Sequence, residues 1–228
     1  MEREDENVNA DELEERSNRT NWTVLHYSRN NRSVSYHFRY ILKRMSKNYK
    51  GIHYIQEQLK DFDKSFVNCV IRCFNLIEEN KEPDGCLSNT TALYICAKSC
   101  GYNPIICYGL CNLDGRDFYH AWLEINDTII DLSIYGNVNY SPYSMWDYKI
   151  SLPYIGKYDD SKISYGKFKF DEDWNKSLIS QVTGKPLIQY IDSAPQYGMW
   201  RLVCRYMNKT LTKELFWQLR SYAENVQL

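Results

Sequence analysis

No stretch of the chain approaches the roughly 18 consecutive apolar residues that a membrane-spanning helix needs, so no membrane span is expected. There is no glycine-rich phosphate loop and no internal repeat. The opening MEREDENVNADELEER has no apolar core, so it does not read as a signal peptide. Net charge is missing too: 28 Lys and Arg against 29 Asp and Glu leave −1 at pH 7. That excludes a whole-surface basic field for nucleic acid, though not a local patch. What is present suffices to fold. Hydrophobic residues make up 43% of the 228, which rules out global disorder and allows one domain with embellishments. Aromatics are plentiful, but 20 Tyr and 6 Trp do not choose between a binding surface and a Tyr-heavy core.

The eight cysteines are Cys69, Cys73, Cys86, Cys96, Cys100, Cys107, Cys111 and Cys204. Without an export signal they read as mostly free thiols in a reducing, cytoplasmic setting. The sequons at Asn21, Asn31, Asn89 and Asn126 then read as composition rather than glycosylation sites.

Four regions are expected. Residues 1–20 form a disordered acidic head, since 1–16 carry eight acids and two Arg. Residues 21–80 form an N-terminal helical region. From Ser17 to Gln56 there is no acid but eight Lys or Arg, and Val34, Phe38, Ile41, Leu42 and Met45 fall on one helical stripe. This basic amphipathic helix, 34–48, is either a solvated face neutralised by the acidic head or a docking face for an acidic partner such as an acidic peptide, a nucleic acid or a membrane surface. A second helix is expected over 57–80 from Phe62, Phe66, Val70, Phe74 and Ile77. Residues 81–140 carry the chemistry, and 141–228 complete the same domain.

Within 81–140, Pro83-Asp84-Gly85 ends one helix and starts another from Cys86 to Cys100, closed by Gly101. Strands follow at Ile105–Cys111, Phe118–Ile125 and Thr128–Ser133. The segment Cys111–Phe118 is read as a substrate-side loop. Tyr- and Pro-rich turns come next, then a weak stretch around Tyr165–Phe170 and a final helix near Thr212–Glu224.

Cys86 at a helix start gains from first-turn amides and the helix dipole, which favour a thiolate and could hold an oxyanion. If Asn126-Asp127 is a two-residue turn, Ile125 pairs with Thr128 and Leu123 with Ile130. Ala121, Leu123, Ile125, Ile130 and Leu132 then share an apolar face. His120, Trp122, Glu124, Asp131 and Ser133 share the other. His120 and Asp131 become diagonal neighbours about 7–8 Å apart at the alpha carbons, so the carboxylate can hold one imidazole nitrogen and aim the other. Trp122 reads as a cover over that pair, with direct substrate binding as its alternative role.

Gly85-Cys86-Leu87 opening a helix, then His120-Ala121-Trp122-Leu123-Glu124, then Ile130-Asp131, resembles the core of the transglutaminase-like cysteine enzyme superfamily. The spacings 120 − 86 = 34 and 131 − 120 = 11 look most like the lasso-peptide leader peptidases within it. The resemblance covers about 50 of the 228 residues. It implies an α+β papain-like core of helices on an antiparallel sheet, with Cys86 as nucleophile, His120 as general base then acid, and Asp131 as its orienter. Gln56 and Gln58 are candidates for the upstream oxyanion donor such enzymes often use.

The chemistry expected is acyl transfer from an amide, with hydrolysis of a peptide bond in a peptide or protein substrate favoured. Amine acylation or crosslinking, and a non-catalytic peptide-binding module, remain open. Nucleic-acid binding is disfavoured by the neutral charge. No cofactor is implied. Zinc at Cys96, Cys100, Cys107 and Cys111 is disfavoured, because four residues of strand span roughly 13 Å between Cys107 and Cys111.

Overall fold

Asp63, Asp131 and Asn112 each hydrogen-bond nearby backbone amides where a helix starts or a hairpin turns. The computed structural model describes residues 49–166 and 184–228. The acidic head, the basic helix 34–48 and residues 167–170 of the weak stretch lie outside the described residues.

The helix expected over 57–80 is two helices. The first, α1, covers 49–58, and α2 runs Lys64–Asn80. Asp63 divides them: its side chain accepts the Ser65 and Phe66 amides and caps α2. The apolar spacing continues through this break, which is why periodicity alone missed it. Helix α3, Cys86–Ser99, starts where expected.

The strands β1 (Ile105–Leu113), β2 (Arg116–Ile125) and β3 (Thr128–Asp131) form a meander. The pairs Ile125↔Thr128 and Leu123↔Ile130 match the expected register. Asn126 and Asp127 both take positive φ, 50° and 60°, as a tight hairpin turn requires. The expected loop Cys111–Phe118 is not a loop. Leu113 pairs with Arg116 around Asp114-Gly115, so both strands run to the turn. Asn112 holds it there, accepting the Gly115 amide at 3.0 Å and donating to Asp117 at 2.6 Å.

The strand expected to reach Ser133 stops at Asp131, and residues Ser133–Tyr140 form helix α4 rather than a turn. Asp131 accepts the Ile134 amide at 3.0 Å and so starts this helix. With Gly136, Asn137 and Asn139 its intrinsic helix propensity is low. Burial of Ile134, Tyr135 and Val138 holds it instead. Gly136 is required by contact: a Cβ there would lie 2.4 Å from the Glu82 carbonyl oxygen. Thus α4 packs directly on the loop that leads into Cys86.

Strands β4 (Tyr154–Gly156) and β5 (Ile163–Tyr165) complete an antiparallel sheet of order β4-β3-β2-β1-β5. Helices α5 (Leu187–Ser193), α6 (Gly198–Met207) and α7 (Lys213–Ser221) follow. The fold is α+β, with helices packed on an antiparallel sheet.

Both sheet faces are buried. Leu123, Ile125, Ile130, Leu132 and Ile155 meet the helices in the larger core. On the opposite face, which carries His120, Trp122 and Asp131, Cys107, Cys111, Leu113, Trp122 and Ile129 lie in a second core under Trp146, Ile163 and Tyr165. The aromatics of 141–165 provide this cover. Fully burying a large apolar side chain is worth about 1.5–3 kcal/mol, which anchors a segment with little regular structure.

Candidate active site

Strand β3 is shorter than β2, and the site occupies the difference. In the β2–β3 ladder Ile125, Leu123 and then Ala121 point their backbone groups toward β3. The partner of Ala121 would be residue 132, but β3 ends at Asp131. The first turn of α3 takes that place. Thr90 donates its hydroxyl to the Ala121 carbonyl at 3.3 Å, and the Ala121 amide donates to the Cys86 sulfur. The nucleophile candidate is therefore seated by main-chain groups that a longer strand would have used.

The His120 side chain hydrogen-bonds the Cys86 thiol. On its other side, Nε2 lies 2.8 and 2.9 Å from the two Asp131 oxygens. With Nε2 committed to the carboxylate, Nδ1 is the nitrogen left for sulfur. His120 and Asp131 are buried, whereas Cys86 is partly exposed.

Burial opposes charge on Cys86 and pushes its thiol up. The hydrogen bond and charge of His120 and the Ala121 amide outweigh it, so the pKa falls below the usual 9.0. Burial likewise pushes His120 down, but the Asp131 charge and hydrogen bond, aided by Cys86, raise it from 6.5 to about 10. These opposed shifts favour a thiolate beside an imidazolium. Helix α3 begins at Gly85 with no side-chain cap, so its N-cap residue does not occupy the first-turn amides.

Asp131 is itself tied down. Besides the Ile134 amide, the Tyr165 hydroxyl donates to Oδ2 at 2.8 Å. Trp122 has no exposed surface, so it does not present itself to a substrate. Its ring packs 4.9 Å from that of Tyr165, and its indole donates to Glu124 at 2.9 Å. Gln56 and Gln58 are exposed on α1, and among the described residues no hydrogen bond links either to Cys86, His120 or Asp131. Cys107 and Cys111 both sit on β1, and all eight cysteines are free thiols.

Four nearby residues escaped the sequence reading. Tyr165 arrives on a three-residue strand, and Asn137 on a helix that propensity does not announce. Tyr108 and Tyr190 stand near Cys86: burial raises both phenols, and a Cys86 charge raises them further. Tyr108 was within reach, because the hairpin register sets it opposite Ala121. Tyr190 on α5 gave no local signal.

A family model described as the transglutaminase-like superfamily matches residues 34–145. Over this span the chain is similar to the transglutaminase-like superfamily. No curated protein and no solved structure matches the chain significantly. The superfamily generally comprises cysteine enzymes, which suggests cysteine-based acyl transfer as the kind of function here. Cys86, His120 and Asp131 all fall inside the transglutaminase-like span, whereas Tyr165 and Tyr190 lie beyond it.

Proposed function

We propose that the protein is a cysteine protease or amidase of the transglutaminase-like type, with Cys86, His120 and Asp131 as its catalytic triad. The Cys86 thiolate adds to the amide carbonyl, and the oxyanion is held by amides at the start of α3. His120 gives its Nδ1 proton to the leaving amine nitrogen as the C–N bond breaks, leaving a thioester. The neutral imidazole then takes a proton from water, hydroxide adds to the thioester, and the acid product leaves. Asp131 keeps the ring in one tautomer and stabilises its charged form. The natural substrate is a peptide or protein.

The observation that carries this reading is the pairing of Nε2 with both Asp131 oxygens while the same ring bonds a partly exposed thiol. Labelling with an electrophilic peptide probe tests it. The parent should label at Cys86 ahead of the other thiols below neutral pH, Cys86→Ala should lose that label, and His120→Ala should slow it. Equal labelling of both variants and the parent would sink the mechanism. Product analysis then separates hydrolysis from transfer: a shortened peptide supports the protease, and a labelled amine joined to a glutamine peptide supports crosslinking.

A further inference from the structure

Asn137 is absent from the chemistry above, yet its carboxamide connects two parts of the site. It lies half-buried on α4. Its Oδ1 accepts the backbone N–H of Asp84 at 2.9 Å, and its Nδ2 lies 3.4 Å from Nδ1 of His120. The Asp84 bond fixes which end is which. A main-chain N–H only donates, so the oxygen faces Asp84 and the NH2 faces the ring. Asp84 stands two residues before Cys86 in the loop on which Gly136 also packs.

This contact depends on protonation. When Nδ1 carries a hydrogen, the thiolate is its partner and the Asn137 N–H has no acceptor there. When the ring is neutral, with its proton on Nε2 toward Asp131, Nδ1 offers a lone pair and Asn137 can donate to it. Asn137 thus favours the neutral ring, while Asp131 favours the charged one.

We propose that Asn137 is a positioning residue that holds the neutral His120 ring in place between the two half-reactions and fixes the Cys86 loop against it. The proposal rests on the acyl-transfer reading above. After the first half-reaction the sulfur is bound in a thioester and the Nδ1 proton has left with the leaving group. The ring has then lost the thiolate as a partner. Asn137 takes over that nitrogen and keeps the ring aimed until water arrives. The groups facing the imidazole are Cys86 from α3 and Asp131 from β3, with the Phe118 ring alongside on β2. Tyr165 from β5 donates to Asp131 in turn, and Cys111 on β1 lies close enough for the Asp131 charge to raise its thiol. Asn137 is the contribution of α4, and it is uncharged.

Two variants separate positioning from simple bracing. Asn137→Asp keeps an oxygen for the Asp84 amide but replaces the N–H beside the ring with a carboxylate oxygen. Asn137→Ala removes both contacts. The pH dependence of Cys86 alkylation by iodoacetamide reads the thiolate, and turnover of p-nitrophenyl acetate separates the acylation burst from deacylation. In Asn137→Asp the alkylation inflection should rise by about one pH unit, because the new carboxylate repels the thiolate. In Asn137→Ala deacylation should slow by on the order of 10²-fold while the burst remains, a loss of the size that misplacing a reacting group by about 1 Å can cause. An Asn137→Asp protein with the parent inflection, or Asn137→Ala with parent deacylation, would reduce Asn137 to a loop brace. Should Asn137→Ala fail to fold, Asn137→Asp decides alone. A parent protein whose Cys86 is no more reactive than its other thiols would instead overturn the acyl-transfer reading, a result these variants do not mimic.

Discussion

His120 and Asp131 face each other with one ring nitrogen within hydrogen-bond distance of both carboxylate oxygens, 2.8 and 2.9 Å, and no water reaches either side chain. This pair governs how the site responds to pH.

Activity should follow a bell-shaped pH profile. The acid limb reports Cys86, whose pKa is held below 9.0 by His120 and the Ala121 amide against the cost of burial. The alkaline limb reports loss of the His120 proton near pH 10, where Asp131 holds it against burial. Asp131→Asn removes the charge that raises His120. The alkaline limb should then move down toward 6.5, and turnover should fall about 10²–10⁴-fold. Rates measured from pH 5 to 11 on both proteins check this, and an unmoved alkaline limb would contradict it.

The same shift makes folding depend on pH. A histidine whose folded pKa lies above its unfolded value contributes its full stabilisation below the unfolded pKa and loses it as pH climbs through the folded one. For His120 that contribution is complete below 6.5 and is lost as pH rises toward 10. Urea midpoints for the parent should therefore fall over this window. In Asp131→Asn, where the folded His120 pKa returns toward 6.5, that fall should shrink.

Tyr165→Phe removes the hydroxyl that Asp131 accepts at 2.8 Å, leaving part of a buried carboxylate unpaired. Hydrogen bonds to charged groups are worth about 1.5–3 kcal/mol. Urea denaturation should show a loss of that size, and a loss within error would mean the contact does not hold the carboxylate.

Glu78 is buried at the end of α2, where the Tyr135 and Tyr140 hydroxyls both donate to it and Lys81 lies 3.6 Å away. Glu78→Ala leaves two hydroxyls without this acceptor, at about 1–3 kcal/mol each. It should therefore destabilise more than Tyr140→Phe, which removes one donor alone. Chemical denaturation of the two variants side by side makes the comparison.

Gly136→Ala would push a Cβ to within 2.4 Å of the Glu82 carbonyl oxygen. Backbone cannot yield as a flexible side chain does, so about 1–3 kcal/mol of overpacking strain is expected. The displaced loop carries Cys86, so thiol reactivity should drop along with the melting temperature. A stable protein with parent reactivity would show that the loop moves without consequence.

Local signals made the centre of the fold legible. Asn126-Asp127 fixed the hairpin and its register, and alternation then put His120 and Asp131 on one face. Pro83-Asp84-Gly85 marked the start of α3. The rest depended on contacts far apart in sequence. Helix α4 is held by Asp131 and by burial, so Gly136 and Asn137 read as turn residues until the core is assembled. The break at Asp63 was masked by apolar spacing that runs through it. The polar face of the hairpin became a second core because Trp146, Ile163 and Tyr165 arrive from up to 43 residues beyond Trp122, a difference of 165 − 122. Of the residues around the imidazole, Tyr165 and Asn137 depended on just these two surprises.

A vacancy one residue long at the rim of a meander gives the thiol somewhere to sit. Were β3 extended past Asp131, its own peptide groups would saturate Ala121, and α3 would have to dock elsewhere. A sulfur-bearing helix could still form and the imidazole could still meet its carboxylate, but the two halves would never join. In this architecture the stopping point of one short strand, as much as any reactive side chain, determines whether there is a workplace for chemistry at all.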